Sequence, residues 1–150
     1  MVQHKKAVDA EGNLQASDFG AFYPTGYIVI AFERYKDAEQ VCQTLRDSGY
    51  GKQDCSIHTA EKVAEAAQRN IDDTGFMARI GKSVAAVKKH LQAAQQGATF
   101  VLVYAPNDDD AERVMNTVGD KPVMLAHRYH HLVIEDLRED VADTHVTSPR

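Results

Sequence analysis

Tyr27-Ile28-Val29-Ile30-Ala31-Phe32 followed by Asp37-Ala38-Glu39-Gln40-Val41-Cys42-Gln43-Thr44-Leu45 decides the fold, because the chain says the same thing again further on. The second copy reads Phe100-Val101-Leu102-Val103-Tyr104-Ala105 and then Asp110-Ala111-Glu112-Arg113-Val114-Met115-Asn116-Thr117-Val118, in the same ungapped alignment. Each copy is a β-branched and aromatic run leading into a segment with apolar residues at helical spacing, so each half opens with a strand and an amphipathic helix.

Working outward, Ala38, Val41, Cys42 and Leu45 form one face of a helix over 36–48, which Gly49 and Gly51 stop. A short strand over 54–59 follows, and Thr59 is placed to cap a helix that turns Val63, Ala66, Ala67 and Ile71 inward. Asp72-Asp73-Thr74-Gly75 breaks that helix. Another over 83–96 carries Ile80, Val84, Val87, Leu91 and Ala94 on one stripe, with Gly97 as its stop. After the strand over 98–104, Pro106-Asn107-Asp108 supply a turn and a cap for a helix over 109–117. A last extended run spans 123–134.

One helix between two strands makes them parallel, while two helices reverse the direction again. The second βαβ half therefore repeats the first in the opposite sense. The expected fold is an α+β, ferredoxin-like βαβ-(αα)-βαβ sandwich: a four-stranded mixed or antiparallel sheet with a helical hairpin between the halves. The expected organisation is a flexible arm over 1–24, a single domain over 25–137 and a flexible tail over 138–150. Both faces of the repeated strands are apolar, so both need cover. Helices 36–48 and 109–117 cover one; the other is left to the helical hairpin, the aromatic arm, a second copy of the chain or an apolar ligand.

The chain has 150 residues, 43% of them hydrophobic, which suits one domain with a sizeable core. No window approaches the roughly 18 apolar residues of a membrane span, and Met1-Val2-Gln3-His4-Lys5-Lys6 leads into polar sequence, so a cytoplasmic protein is expected. A net charge of −5 gives no global field for nucleic acid. Cys42 and Cys55 form no CxxC pair and read as buried thiols.

Gly75-Phe76-Met77-Ala78-Arg79-Ile80-Gly81-Lys82-Ser83 has the look of a phosphate loop but the wrong spacing, and it follows a helix where a strand is required. It reads as a linker between helices. His127-Arg128-Tyr129-His130-His131 is the densest chemical cluster. On an extended strand His127, Tyr129 and His131 share one face and Arg128 and His130 the other. At about 3.3 Å per residue, His127 and His131 lie roughly 13 Å apart, too far for one metal without help from His58 or a neighbouring carboxylate. Lys82, Lys88, Lys89 and His90 make 83–96 the most basic element, read first as a solvated face. Asp108-Asp109-Asp110 suits a helix N-terminus. No nucleophile, base and acid occur in a known catalytic spacing, and no cofactor or metal is expected.

The segments Ile28 to Leu45 and Ala126 to Leu137 resemble bacterial proteins related to the general (heat-induced) stress protein domain. That resemblance implies a cytoplasmic, non-catalytic, stress-associated protein and supplies no catalytic residues. The expected function is accordingly binding, through self-association or a small ligand on the sheet face opposite helices 36–48 and 109–117. The partner is then a second copy or another protein, with no membrane. The rival is a small metal- or anion-binding protein or enzyme built on the His-rich last strand, with His58, His127, Arg128, Tyr129 and His131 as candidate residues. A third reading is nucleic-acid binding through Lys88 and Lys89.

Overall fold

In the computed structural model, which describes residues 7–16 and 21–138, the two halves of the repeat become β1 (Tyr27–Phe32) with α1 (Tyr35–Asp47) and β3 (Thr99–Tyr104) with α5 (Asp108–Val118). Between them lie β2 (Cys55–His58), α2 (Ala60–Asp72), α3 (Thr74–Ile80), a 3-10 turn at Gly81–Ser83, and α4 (Val84–Gln95). The chain continues through β4 (Val123–His130) and β5 (Val133–Asp136). Among the described residues the sheet has five strands in the order β2-β3-β1-β4-β5, and every neighbouring pair is antiparallel.

The fold is α+β as expected, but the sheet has five strands and not four. The run expected to be one strand over 123–134 turns back at His131-Leu132, so that His130 pairs with Val133 and the chain gains an edge strand. Leu132 takes the turn at φ 61, a left-handed conformation that glycine or asparagine normally fills. Its side chain packs against the core, which offsets that strain. The expected helical hairpin has three helical segments. The stretch read as a linker is α3 and the 3-10 turn, because Asp73 ends α2 and also caps α3 by accepting from Phe76 N at 2.9 Å. Thr59 caps α2 through Lys62 N at 3.3 Å and Asn107 caps α5 through Asp110 N at 2.8 Å.

β1 alternates its side chains between two cores. Ile28, Ile30 and Phe32 meet Val41, Cys42 and Leu45 of α1 and Val114 and Val118 of α5. Tyr27, Val29 and Ala31 meet Val63 of α2, Phe76 and Ile80 of α3, and Val87 and Ala94 of α4. The sheet face expected to await a ligand or a second copy is thus covered by the chain's own helices. Of the expected arm, 1–6 and 17–20 lie outside the described residues; Ala7, Val8, Ala21 and Tyr23 are buried in the domain. Residues 8–14 close a small turn through a Val8–Leu14 bridge. The expected tail lies outside the described residues from 139 onward. No described helix is long and apolar enough to cross a membrane.

Gly26 introduces β1 at φ 87, its N–H donates to Tyr129 O at 2.8 Å, and a Cβ there would sit 2.9 Å from the Tyr104 ring. Both the backbone conformation and the space demand glycine. Gly26→Ala is expected to cost about 2 kcal/mol, read as a lowered urea midpoint with unchanged slope.

Candidate functional site

β4 carries two polar networks, one on each face. On the helical-hairpin side, the Tyr129 hydroxyl lies 2.8 Å from His90 Nδ1, His90 Nε2 lies 2.9 Å from His127 Nδ1, and His127 Nε2 lies 3.3 Å from Asp136 Oδ2. A single set of tautomers satisfies all three bonds: Tyr129 donates to His90, His90 donates to His127, and His127 donates to the Asp136 carboxylate. The chain runs from the core to the surface, where Lys89 Nζ stands 4.0 Å from the same carboxylate oxygen. Both imidazoles are held neutral. Burial pushes His90 well below the ordinary histidine range, with the His127 charge adding to the effect. Burial also lowers His127, against the opposing pull of Asp136. Tyr129, buried against the edge of the Tyr23 ring, is pushed well above the usual phenol range.

On the other face, Arg128 is buried and its Nη2 donates to Asp108 Oδ1 at 2.6 Å. The Arg128 bond and charge hold the Asp108 carboxyl below its usual range. Glu135 lies between Arg128 Nε at 3.3 Å and His130 Nε2 at 2.9 Å. This cluster ties the start of α5 to the β4–β5 hairpin. Arg128 Nη1 is buried without a hydrogen-bond partner among the described residues.

The pleat therefore separates His127 and Tyr129 from Arg128 and His130, but His131 leaves their company: it sits in the exposed turn after β4. The basic run splits similarly. Lys88 is exposed, Lys89 leans toward Asp136, and His90 is buried in the core, so the run is not one continuous patch. His90 was missed as a site residue although its position announces it. It stands three after Val87 and four before Ala94, on the apolar stripe. Asp136 could not be recognised without the hairpin that pairs it with His127.

His58 lies far along the sheet in different company. Its Nε2 is 2.8 Å from Ser56 Oγ, two residues along the same face of β2. These two line an open cleft of about 400 Å³ together with Arg46 at the end of α1, Lys52 and the turn around Val8 to Gly12. Three bonds pin that turn to the domain: Gln53 Nε2 to Val8 O at 3.3 Å, Lys62 Nζ to Asn13 Oδ1 at 3.3 Å, and Ala7 N to the Tyr27 hydroxyl at 3.4 Å. The Asp9 carboxylate is engaged within it, accepting from Glu11 N and Asn13 N, both at 2.9 Å. Arg46 Nη2 donates to Cys55 O at 2.9 Å.

Comparison with known proteins finds no match, whether among family models, curated proteins or solved structures. The chemistry must be argued from these side chains alone. Ser56 and His58 stand at the separation of a nucleophile and its base. However, no carboxylate orients the other nitrogen of His58 among the described residues, and burial, aided by Lys62, lowers His58 to about 4. So low a proton affinity makes a weak base. No group of three or more His, Cys, Asp or Glu that could hold a metal occurs among the described residues. The Tyr129-His90-His127-Asp136 bonds run in a line instead of converging on one point.

Because folding holds His58 below its ordinary value of 6.5, the unfolded chain binds the extra proton between about pH 6.5 and pH 4. Stability should fall as pH drops through that window, with His58 alone contributing about 3 kcal/mol. His90 and His127 act with the same sign. Urea melts across this range should slope less for His58→Gln than for the parent chain. Tyr129→Phe leaves His90 Nδ1 without its donor and should cost about 2 kcal/mol in the same melts at pH 7.

Proposed function

We propose that the protein is a non-enzymatic binding domain whose ligand is a small anion received in the cleft between β2 and the 8–14 turn. The observation that carries this is the arrangement of Arg46, Lys52, Ser56 and His58 around one open concavity. Two cations and two neutral hydrogen-bonding side chains are what a carboxylate or phosphate group requires. Two carboxylates also line the cleft: Asp9 is spent on its own turn, accepting from Glu11 N and Asn13 N, and Glu11 is exposed. Among the described residues Arg46 gives one hydrogen bond, to Cys55 O, and keeps further guanidinium donors for a ligand.

The hydrolytic alternative draws support from the 2.8 Å Ser56–His58 pair. It is the weaker reading, because an unoriented imidazole with a lowered proton affinity neither activates a serine nor protonates a leaving group well at neutral pH. The β4 networks are read as structural: they link α4, α5 and β5 to the sheet. We also infer a ferredoxin-like arrangement. Its support is the strand order β2-β3-β1-β4, in which α1 joins β1 to β2 and α5 joins β3 to β4, each crossing one intervening strand, with β5 and the α2 to α4 segments as additions. A stress association rests on the resemblance in Ile28 to Leu45 and Ala126 to Leu137 alone.

The test is a titration of isotope-labelled protein with inorganic phosphate, followed by amide shifts. Saturable shifts are expected at Ser56, Ile57, His58 and in the 8–12 segment, with affinity about tenfold weaker in Lys52→Ala. Shifts that do not saturate, or that are the same in Lys52→Ala, would sink the proposal.

A further inference from the structure

Cys42 of α1 and Cys55 of β2 are both buried, and their sulfurs stand 3.0 Å apart. The two residues are neighbours because α1 packs its buried face on the sheet just where β2 begins. Cys42 sits one helical turn before Arg46, and Cys55 directly precedes Ser56. The pair is bonded in both directions: Cys55 S–H donates to Cys42 Sγ, and Cys42 S–H points to Cys55 O at 3.5 Å. A closure of about 1 Å brings the sulfurs to the length of a disulfide bond. No part of the anion-binding reading uses these thiols.

We propose that Cys42 and Cys55 are a disulfide-forming pair, oxidised by a hydroperoxide. Both cysteines are buried and neither lines the cleft of Arg46, Gln53 and Ser56; Arg46 touches the pair through its bond to Cys55 O. The roles of the two sulfurs differ. The bond from Cys55 and the charge of Arg46 draw the Cys42 thiol down, while donation to Cys42 and burial hold the Cys55 thiol up. Cys42 is therefore the attacking sulfur and Cys55 the resolving one.

In the first step the Cys42 sulfur attacks the terminal peroxide oxygen. An S–O bond forms, the O–O bond breaks, and the departing oxygen takes the thiol proton to leave as an alcohol, or as water from hydrogen peroxide. Cys42 is then a sulfenic acid. In the second step the Cys55 sulfur attacks Cys42, the S–S bond forms, the S–O bond breaks, and the hydroxyl leaves with the Cys55 proton as water. Two thiols lose two electrons and one hydroperoxide gains them. The product ties the end of α1 to the start of β2 beneath Arg46.

The experiment treats folded protein with hydrogen peroxide, quenches with acid, denatures, alkylates and maps the peptides by mass spectrometry. The expected result is a Cys42–Cys55 cross-linked peptide lacking two hydrogens, formed at least about tenfold faster in the folded protein than in the chain unfolded in urea, because the fold holds the sulfurs together. In Cys42→Ser the expected result is a Cys55 that remains alkylatable after the same treatment. Recovery of both cysteines as alkylated thiols, or as separate sulfinic acids, would overturn the proposal. A cross-link that forms no faster in the folded protein than in urea would also overturn it.

Discussion

Everything else in this structure answers to β1. All six of its residues are buried, it is hydrogen-bonded along both edges to β3 and β4, and each of its faces meets a different hydrophobic core. A strand with no wet side cannot exist in a two-layer protein. The repeat supplies α1 and α5 for one face. The insertion of α2, α3 and α4, together with Ala21 and Tyr23 from the N-terminal segment, supplies the other. The protein is consequently a sheet between two helical layers, and its polar chemistry is displaced to the margins of the sheet.

β2 at one edge, and β4 beside the edge strand β5 at the other, carry residues that β1 and β3 could not. β4 alternates Ala126 and Arg128 with His127 and Tyr129, and each polar side chain is buried only because a partner from another element meets it. His90 comes from α4, Asp136 and Glu135 from β5, and Asp108 from α5. Such groups cost free energy if left unpaired, so the networks specify how α4, α5 and β5 dock more than they add to stability. Ser83 serves the same end: its Oγ accepts from Ile134 N at 2.8 Å, fastening the turn before α4 to the edge strand. At the opposite margin, Ser56 and His58 face a cleft instead of a core.

How much of this was legible follows from the range of each signal. The duplicated strand and helix were readable because apolar period and β-branching are local, and the caps Thr59 and Asn107 because they bond within one turn. The fifth strand was hidden because its turn is made by His131 and Leu132, neither of which advertises a reversal, and Leu132 adopts a backbone conformation its side chain does not favour. His127 and Tyr129 were recognised as sharing a face, yet their partners His90 and Asp136 arrive from other elements through tertiary packing. Likewise Cys42 and Cys55 looked like two isolated thiols. Their proximity is set by the docking of α1 on β2, which no spacing rule encodes.

The pairing of β1 has a consequence for the order in which the chain is made. Synthesis delivers β1 early, but its two neighbours are β3, from Thr99, and β4, from Val123. Until they emerge from the ribosome, the most apolar strand of the protein has no strand to bond with, and α1 and the α2 to α4 insertion lack the sheet their buried faces pack on. The nascent chain therefore holds β1 without either strand partner until β3 has been made. The central strand of the sheet thus gains its hydrogen bonds only once the second half of the chain is present.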